Sequence, residues 1–168
     1  MAFTVEDGTG LAAANSYVSL ADAGAYFADR GNATWENADD DLKEAALVRA
    51  SFALDGIYGG RWPGYCATQD QALAWPRVDA VDSAGYEISS ATVPQAVKNA
   101  ACEAALVELG SAGALSKKTE AGLSELTVGP ITKRFAVASG SGATVYPAIT
   151  QALSRIFKRG SGIQVVRG

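Results

Sequence analysis

The sequence predicts a mainly α fold: a small four-helix domain with a late β-hairpin and an extended C-terminal tail. Apolar residues recur at spacings of three and four in several segments, the period of helices buried along one face. Two short runs rich in alternating apolar residues flank Gly129-Pro130, a two-residue turn in which glycine can take positive φ. The final residues are β-branched and follow a pair of glycines. A chain of 168 residues fits one domain. The helical domain is placed at 1–159, with its hairpin at about 123–137, and the tail at 160–168.

The first helix is expected over about 20–30, with Ser19 as its cap, Asp22 in its first turn and Gly31-Asn32 ending it. A second should start near Asp39 and reach Leu54 or Asp55. Asp39-Asp40-Asp41 favour the helix dipole there, and Leu47, Ala50 and Leu54 form its buried stripe. Gly56, Gly59, Gly60, Pro63 and Gly64 then break regularity and open a long irregular connection containing Trp62-Pro63 and Trp75-Pro76-Arg77. The third helix begins at Thr92 and Pro94, with the proline in its first turn. It continues through Val97, Ala101, Ala104 and Val107 to Gly110. A Gly/Ser/Lys linker leads to strands at Leu123–Val128 and Ile131–Val137. After Ser139-Gly140-Ser141-Gly142, the last helix carries Ile149, Ala152, Leu153, Ile156 and Phe157 on one face.

Composition narrows the function classes. Histidine is absent, which removes the commonest general base and metal ligand and makes a Ser-His-Asp or Cys-His site impossible within the chain. Carboxylate chemistry stays open, but no active-site constellation is visible, and the chain reads as a non-enzyme without cofactor or metal. Charged residues make up 19%, as in a subunit that hides surface against neighbours. No run approaches the roughly 18 apolar residues of a membrane span, and the start lacks the pattern of a signal peptide. Cys66 and Cys102 form no CxxC pair and read as free thiols in a reducing cytosol.

Charge is segregated along the chain. Residues 1–56 carry ten Asp/Glu against three Lys/Arg, residues 57–110 six against three, and residues 111–168 two against eight. The net charge of −4 argues against a protein whose main task is gripping DNA, while the basic last third leaves room for a local contact. Lys117, Lys118, Lys133 and Arg134 are the best candidates to face DNA. Trp35, Trp62 and Trp75 lie in the acidic part, where core and loop-pinning roles are expected rather than base stacking. In the tail, Ile163, Gln164, Val165, Val166 and Arg167 form a segment able to add as a strand to a sheet edge on another chain.

Several blocks bear a family resemblance. They are Phe3-Thr4-Val5-Glu6-Asp7-Gly8-Thr9-Gly10, Ala14-Asn15-Ser16-Tyr17-Val18-Ser19, Ala25-Tyr26-Phe27 and Lys43-Glu44-Ala45-Ala46-Leu47-Val48-Arg49-Ala50. Gln71-Ala72-Leu73-Ala74-Trp75-Pro76-Arg77, Val93-Pro94-Gln95-Ala96-Val97-Lys98 and Val128-Gly129-Pro130-Ile131 continue the series. Together these resemble the head–tail connector (adaptor) proteins of tailed phages, some members of which carry the label DnaT-like single-stranded DNA-binding protein. The resemblance implies a structural virion protein at the neck, made in the host cytoplasm, and a homo-oligomeric, twelvefold ring. That ring would dock its tail on the portal protein, meet a stopper or tail-completion protein and let packaged double-stranded DNA pass. It supplies no catalytic residues, and Lys133-Arg134 make this hairpin more basic than the family pattern. The rival expectation is a single-stranded DNA-binding protein of phage replication, with salt-sensitive affinity carried by Lys117, Lys118, Lys133 and Arg134.

Overall fold

The computed structural model describes residues 2–116 and 146–157, together with the backbone of the two strands at 125–128 and 131–134. The chain starts with an irregular segment held by side chains and by one parallel bridge, Val5 to Ser16. Buried Glu6 accepts from the backbone N–H groups of Gly8, Gly10 and Leu11 at 2.8–2.9 Å. Asn15 accepts from Thr4 N and donates to Ala2 O, which folds residues 2–6 back along 14–16.

Helix α1 (Leu20–Ala28) begins where Ser19 accepts from Asp22 N at 3.0 Å. Just beyond its end, Gly31 at φ +60° turns the chain so that Asn32 N returns to Phe27 O. Asn32 then caps a one-turn helix, α2 (Ala33–Glu36), which brings Trp35 onto Phe27 with ring centroids 4.6 Å apart. This element was not foreseen, because four residues are too few to show a period.

The long helix α3 (Asp40–Tyr58) runs past the expected end at Leu54 or Asp55. Gly56 sits on its exposed side with nothing within 4 Å of a notional Cβ, so it costs only the roughly 1 kcal/mol of glycine propensity. Burial of Tyr58 against Trp62 and Phe157 offsets that. Asp39 occupies the N-cap without a side-chain capping bond; Asp40 and Asp41 lie in the first turn, and Asp40 pairs with Lys43 at 3.1 Å. A 3-10 turn, Gly59–Arg61, follows.

The connection expected to be irregular contains a short antiparallel pair. β1 (Tyr65–Cys66) and β2 (Arg77–Val78) match Tyr65 with Val78 and Cys66 with Arg77. Between them Gln71 accepts from Thr68 N and donates to the carbonyls of Leu73 and Pro76, and the Trp75–Pro76 peptide is cis. Helix α4 (Gln95–Gly110) starts one residue after Pro94, which is its extended cap and not part of its first turn. β3 (Glu125–Val128) and β4 (Ile131–Arg134) pair as the expected hairpin, in the register Glu125↔Arg134 to Val128↔Ile131, and the outer ends of the expected strands lie outside the described residues. Helix α5 (Pro147–Ala152) tightens into a second 3-10 turn, Leu153–Arg155, so the expected continuous helix ends early. Its predicted stripe is still buried at Ile149, Leu153, Ile156 and Phe157.

The core lies between α3 and α4. Ala46, Ala50 and Ala53 on one helix face Ala100, Ala101, Ala104 and Ala105 on the other, all buried. Such small residues let two backbones approach closely. Around this seam Trp35, Trp62, Trp75, Phe27 and Phe157 fill the space that alanines leave. The fold is therefore mainly α with a small hairpin. Leu123, Val137, the linkers around the hairpin, and the tail from 160 lie outside the described residues.

Candidate nucleic-acid interface

The described cations divide sharply by what they touch. Arg77 is buried, donating to Pro63 O at 2.6 Å, Gly64 O at 2.7 Å and Ala74 O at 3.1 Å. Arg49 donates to the buried Glu108 carboxylate at 2.9 Å, and the same carboxylate accepts from Gly113 N and Leu115 N. Arg30 lies over the Tyr26 ring at 3.5 Å and donates to Tyr26 O. These groups hold the fold together.

Arg61 and Arg155 are different. Both are exposed, and both come to the end of the molecule where the two 3-10 turns and the loop after β2 meet. The Arg61 guanidinium stands 4.1 Å from the centroid of Phe157. Phe157 in turn stacks on Trp62 at 5.3 Å and 28°. Arg155 is 3.8 Å from Asp82, a wide pair on a side chain 77% exposed, so it leaves the charge largely available. Its carbonyl accepts from Ser83 N at 2.8 Å, tying the loop to the turn. Asp82 also accepts from Ala84 N and Tyr86 N; the Tyr86 bond most of all holds its carboxyl below the usual range. Tyr86 and Tyr65 present the most exposed rings among the described aromatics, whereas Trp35, Trp62 and Trp75 are buried, as their sequence context implied.

Of the residues expected to face DNA, Lys117 and Lys118 lie outside the described residues, as do Ile163, Gln164, Val165, Val166 and Arg167 of the tail. Lys133 and Arg134 are both in β4. Arg134 sits opposite Glu125, and Lys133 opposite Leu126. Arg61, Arg155 and Tyr86 escaped sequence reasoning because 94 residues separate the two arginines. The one local signal was that Arg155 lies close in sequence to Lys158 and Arg159.

Among the described residues no cluster of His, Cys, Asp or Glu suits a metal ion, and no helix is long and apolar enough to cross a membrane.

The blocks that resemble connector proteins turn out to be the residues that hold the fold. Glu6 clamps the N-terminal loop, Tyr17 binds Asp55, Gln71 and Arg77 staple the β1–β2 connection, and Trp75 is fully buried. Such residues identify an architecture, not a task. No curated protein and no solved structure matches the chain. A family model does match, over residues 1–168, and its description is "Putative DnaT-like ssDNA binding protein". This finding overturns the connector reading, and with it the ring and the portal and stopper partners. The chain belongs to the DnaT-like single-stranded-DNA-binding protein family.

Proposed function

We propose that the protein binds single-stranded DNA, and the family match along the whole chain is the observation that carries this reading. Two features support it. Residues 111–168 hold eight Lys/Arg against two Asp/Glu. Arg61 and Arg155 stand exposed, and the exposed Tyr86 ring belongs to the Asp82 loop with which Arg155 pairs, the mixture of cation and ring that a base-stacking groove uses. With a net charge of −4, the contact is local, and acidic surfaces elsewhere repel a strand that leaves it.

The test is fluorescence anisotropy with a labelled oligonucleotide of about 15 nucleotides and its duplex, from about 50 to about 200 mM salt. The single strand should bind tighter than the duplex. Its log K should fall linearly with log salt, by about 0.7 for each phosphate contacted. Arg61→Ala with Arg155→Ala should weaken binding and flatten the slope, and Lys133→Glu with Arg134→Glu should do the same. Equal affinity for duplex and single strand, or no binding at the lowest salt, would overturn the reading.

A further inference from the structure

We propose that the cleft between the Gly59–Arg61 turn and the loop after β2 seats one unpaired guanine base of a bound strand. This rests on the single-stranded-DNA reading and adds a base preference to it. The cleft measures about 350 Å³ and is lined by Arg61, Pro63, Gly64, Asp79, Val81 and Phe157. A flat heterocycle fits such a slot, with Pro63 and Val81 as apolar surface for its faces, the Arg61 guanidinium layered on buried Phe157 beside it, and charged groups for its edge.

The walls are set before any ligand arrives. Buried Arg77 holds the carbonyls of Pro63 and Gly64 at 2.6 and 2.7 Å. Gly64, at φ +67°, lies so close to the opposite wall that a Cβ would be 2.1 Å from Val78 O. Tyr65 pairs with Val78 just behind the slot. A preformed cleft avoids the entropy of ordering loops on binding.

Asp79 is the residue that gives the slot a preference. It is the one non-glycine residue with positive φ among the described residues, at +53°. Aspartate is among the few residues besides glycine that enter this left-handed region readily. The Asp79 carboxylate makes no hydrogen bond or ion pair within the described residues, so both oxygens are free to accept. Guanine offers two adjacent donors on its pairing edge, the ring N–H and the amino group. Adenine and cytosine offer one amino group beside a ring acceptor, and thymine offers one N–H between two carbonyls. A two-oxygen acceptor therefore matches guanine alone. Arg61 also forms no ion pair within the described residues. It can meet the phosphate beside the base while keeping its plane over Phe157.

The experiment compares anisotropy titrations of an oligothymidylate of about 12 nucleotides with the same strand bearing one central guanine. Wild type, Asp79→Asn and Arg61→Ala are each titrated, with folding checked by circular dichroism melting. Asparagine tolerates the left-handed backbone at this position, so the variant keeps the loop. Wild type should favour the guanine strand by about tenfold. Asp79→Asn should lose most of that preference and keep its affinity for oligothymidylate. Arg61→Ala should weaken both strands alike. If wild type binds both strands equally, or if a folded Asp79→Asn keeps the preference, the guanine proposal is wrong while the single-strand reading stands. If wild type binds neither strand, both are overturned.

Discussion

The Tyr17 hydroxyl reaches both carboxylate oxygens of Asp55, at 2.6 and 2.7 Å. The same carboxylate accepts from Ala74 N at 2.8 Å, and the phenol oxygen accepts from Trp75 N at 3.3 Å. Three segments distant in sequence, before α1, within α3 and before β2, thus close on one half-buried acid. Burial pushes the Asp55 carboxyl above its ordinary value, against the opposing pull of these donors, and burial together with the Asp55 charge pushes the Tyr17 phenol up.

That junction sets a pH dependence. A carboxyl raised on folding makes the native state bind its proton more tightly than the unfolded chain does. Its contribution is full below the unfolded value of about 3.9 and is lost as pH rises through the folded value. Urea denaturation of wild type and Asp55→Asn should therefore show wild type gaining relative stability as pH falls from about 7 towards about 4. A difference that stays flat across this range would rule the account out. Asp55→Ala, which strands the Tyr17 hydroxyl and Ala74 N, should cost about 2–3 kcal/mol at neutral pH.

Glu108 ends α4 in the same manner. Its buried carboxylate gathers Arg49, Gly113 N and Leu115 N at 2.6–2.9 Å. Glu108→Ala should cost about 2–3 kcal/mol, discounted because Arg49 is partly exposed. Glu108→Gln should recover part of this, since its carbonyl still accepts. Chemical denaturation at neutral pH checks both.

Gly64 has no substitute. At φ +67°, with backbone of Val78 and Ala80 inside 3 Å of a notional Cβ, Gly64→Ala should destabilise by about 2–4 kcal/mol. Gly56→Ala, in open space on α3, should instead stabilise by about 0.5–1 kcal/mol. Melting curves of the two variants should move in opposite directions.

The two thiols should separate by reactivity. Cys66 is exposed and free; Cys102 is buried in α4, and burial pushes its thiol up to about 12. With a disulfide reagent at neutral pH, Cys66 should react at once and Cys102 only as the protein unfolds. Prompt reaction of both thiols in the native state would contradict the buried placement of α4.

Much of the fold was legible in local pattern. Ser19, Asp22 and Gly31 mark the limits of α1, and the stripes of Leu47, Ala50 and Leu54, and of Ile149, Leu153 and Ile156, face the core as their spacing required. The hairpin followed from Gly129-Pro130. Elements without a period were invisible: α2 spans four residues, and β1 and β2 span two each. The candidate site was barely legible, because the residues most telling in sequence, such as Trp75 and Arg77, are spent on holding the chain together.

Composition and periodicity by themselves determined a helical, alanine-rich body, the lack of histidine chemistry and a basic final third, since each is a property of neighbouring or summed residues. Only tertiary structure decided which cations are free and which rings are exposed. Arg77 and Arg61 look alike in the sequence, yet one is walled in by carbonyls and the other stands over Phe157 facing a cleft. The physical reason is that availability of a charge depends on the groups folded around it, and those come from distant parts of the chain.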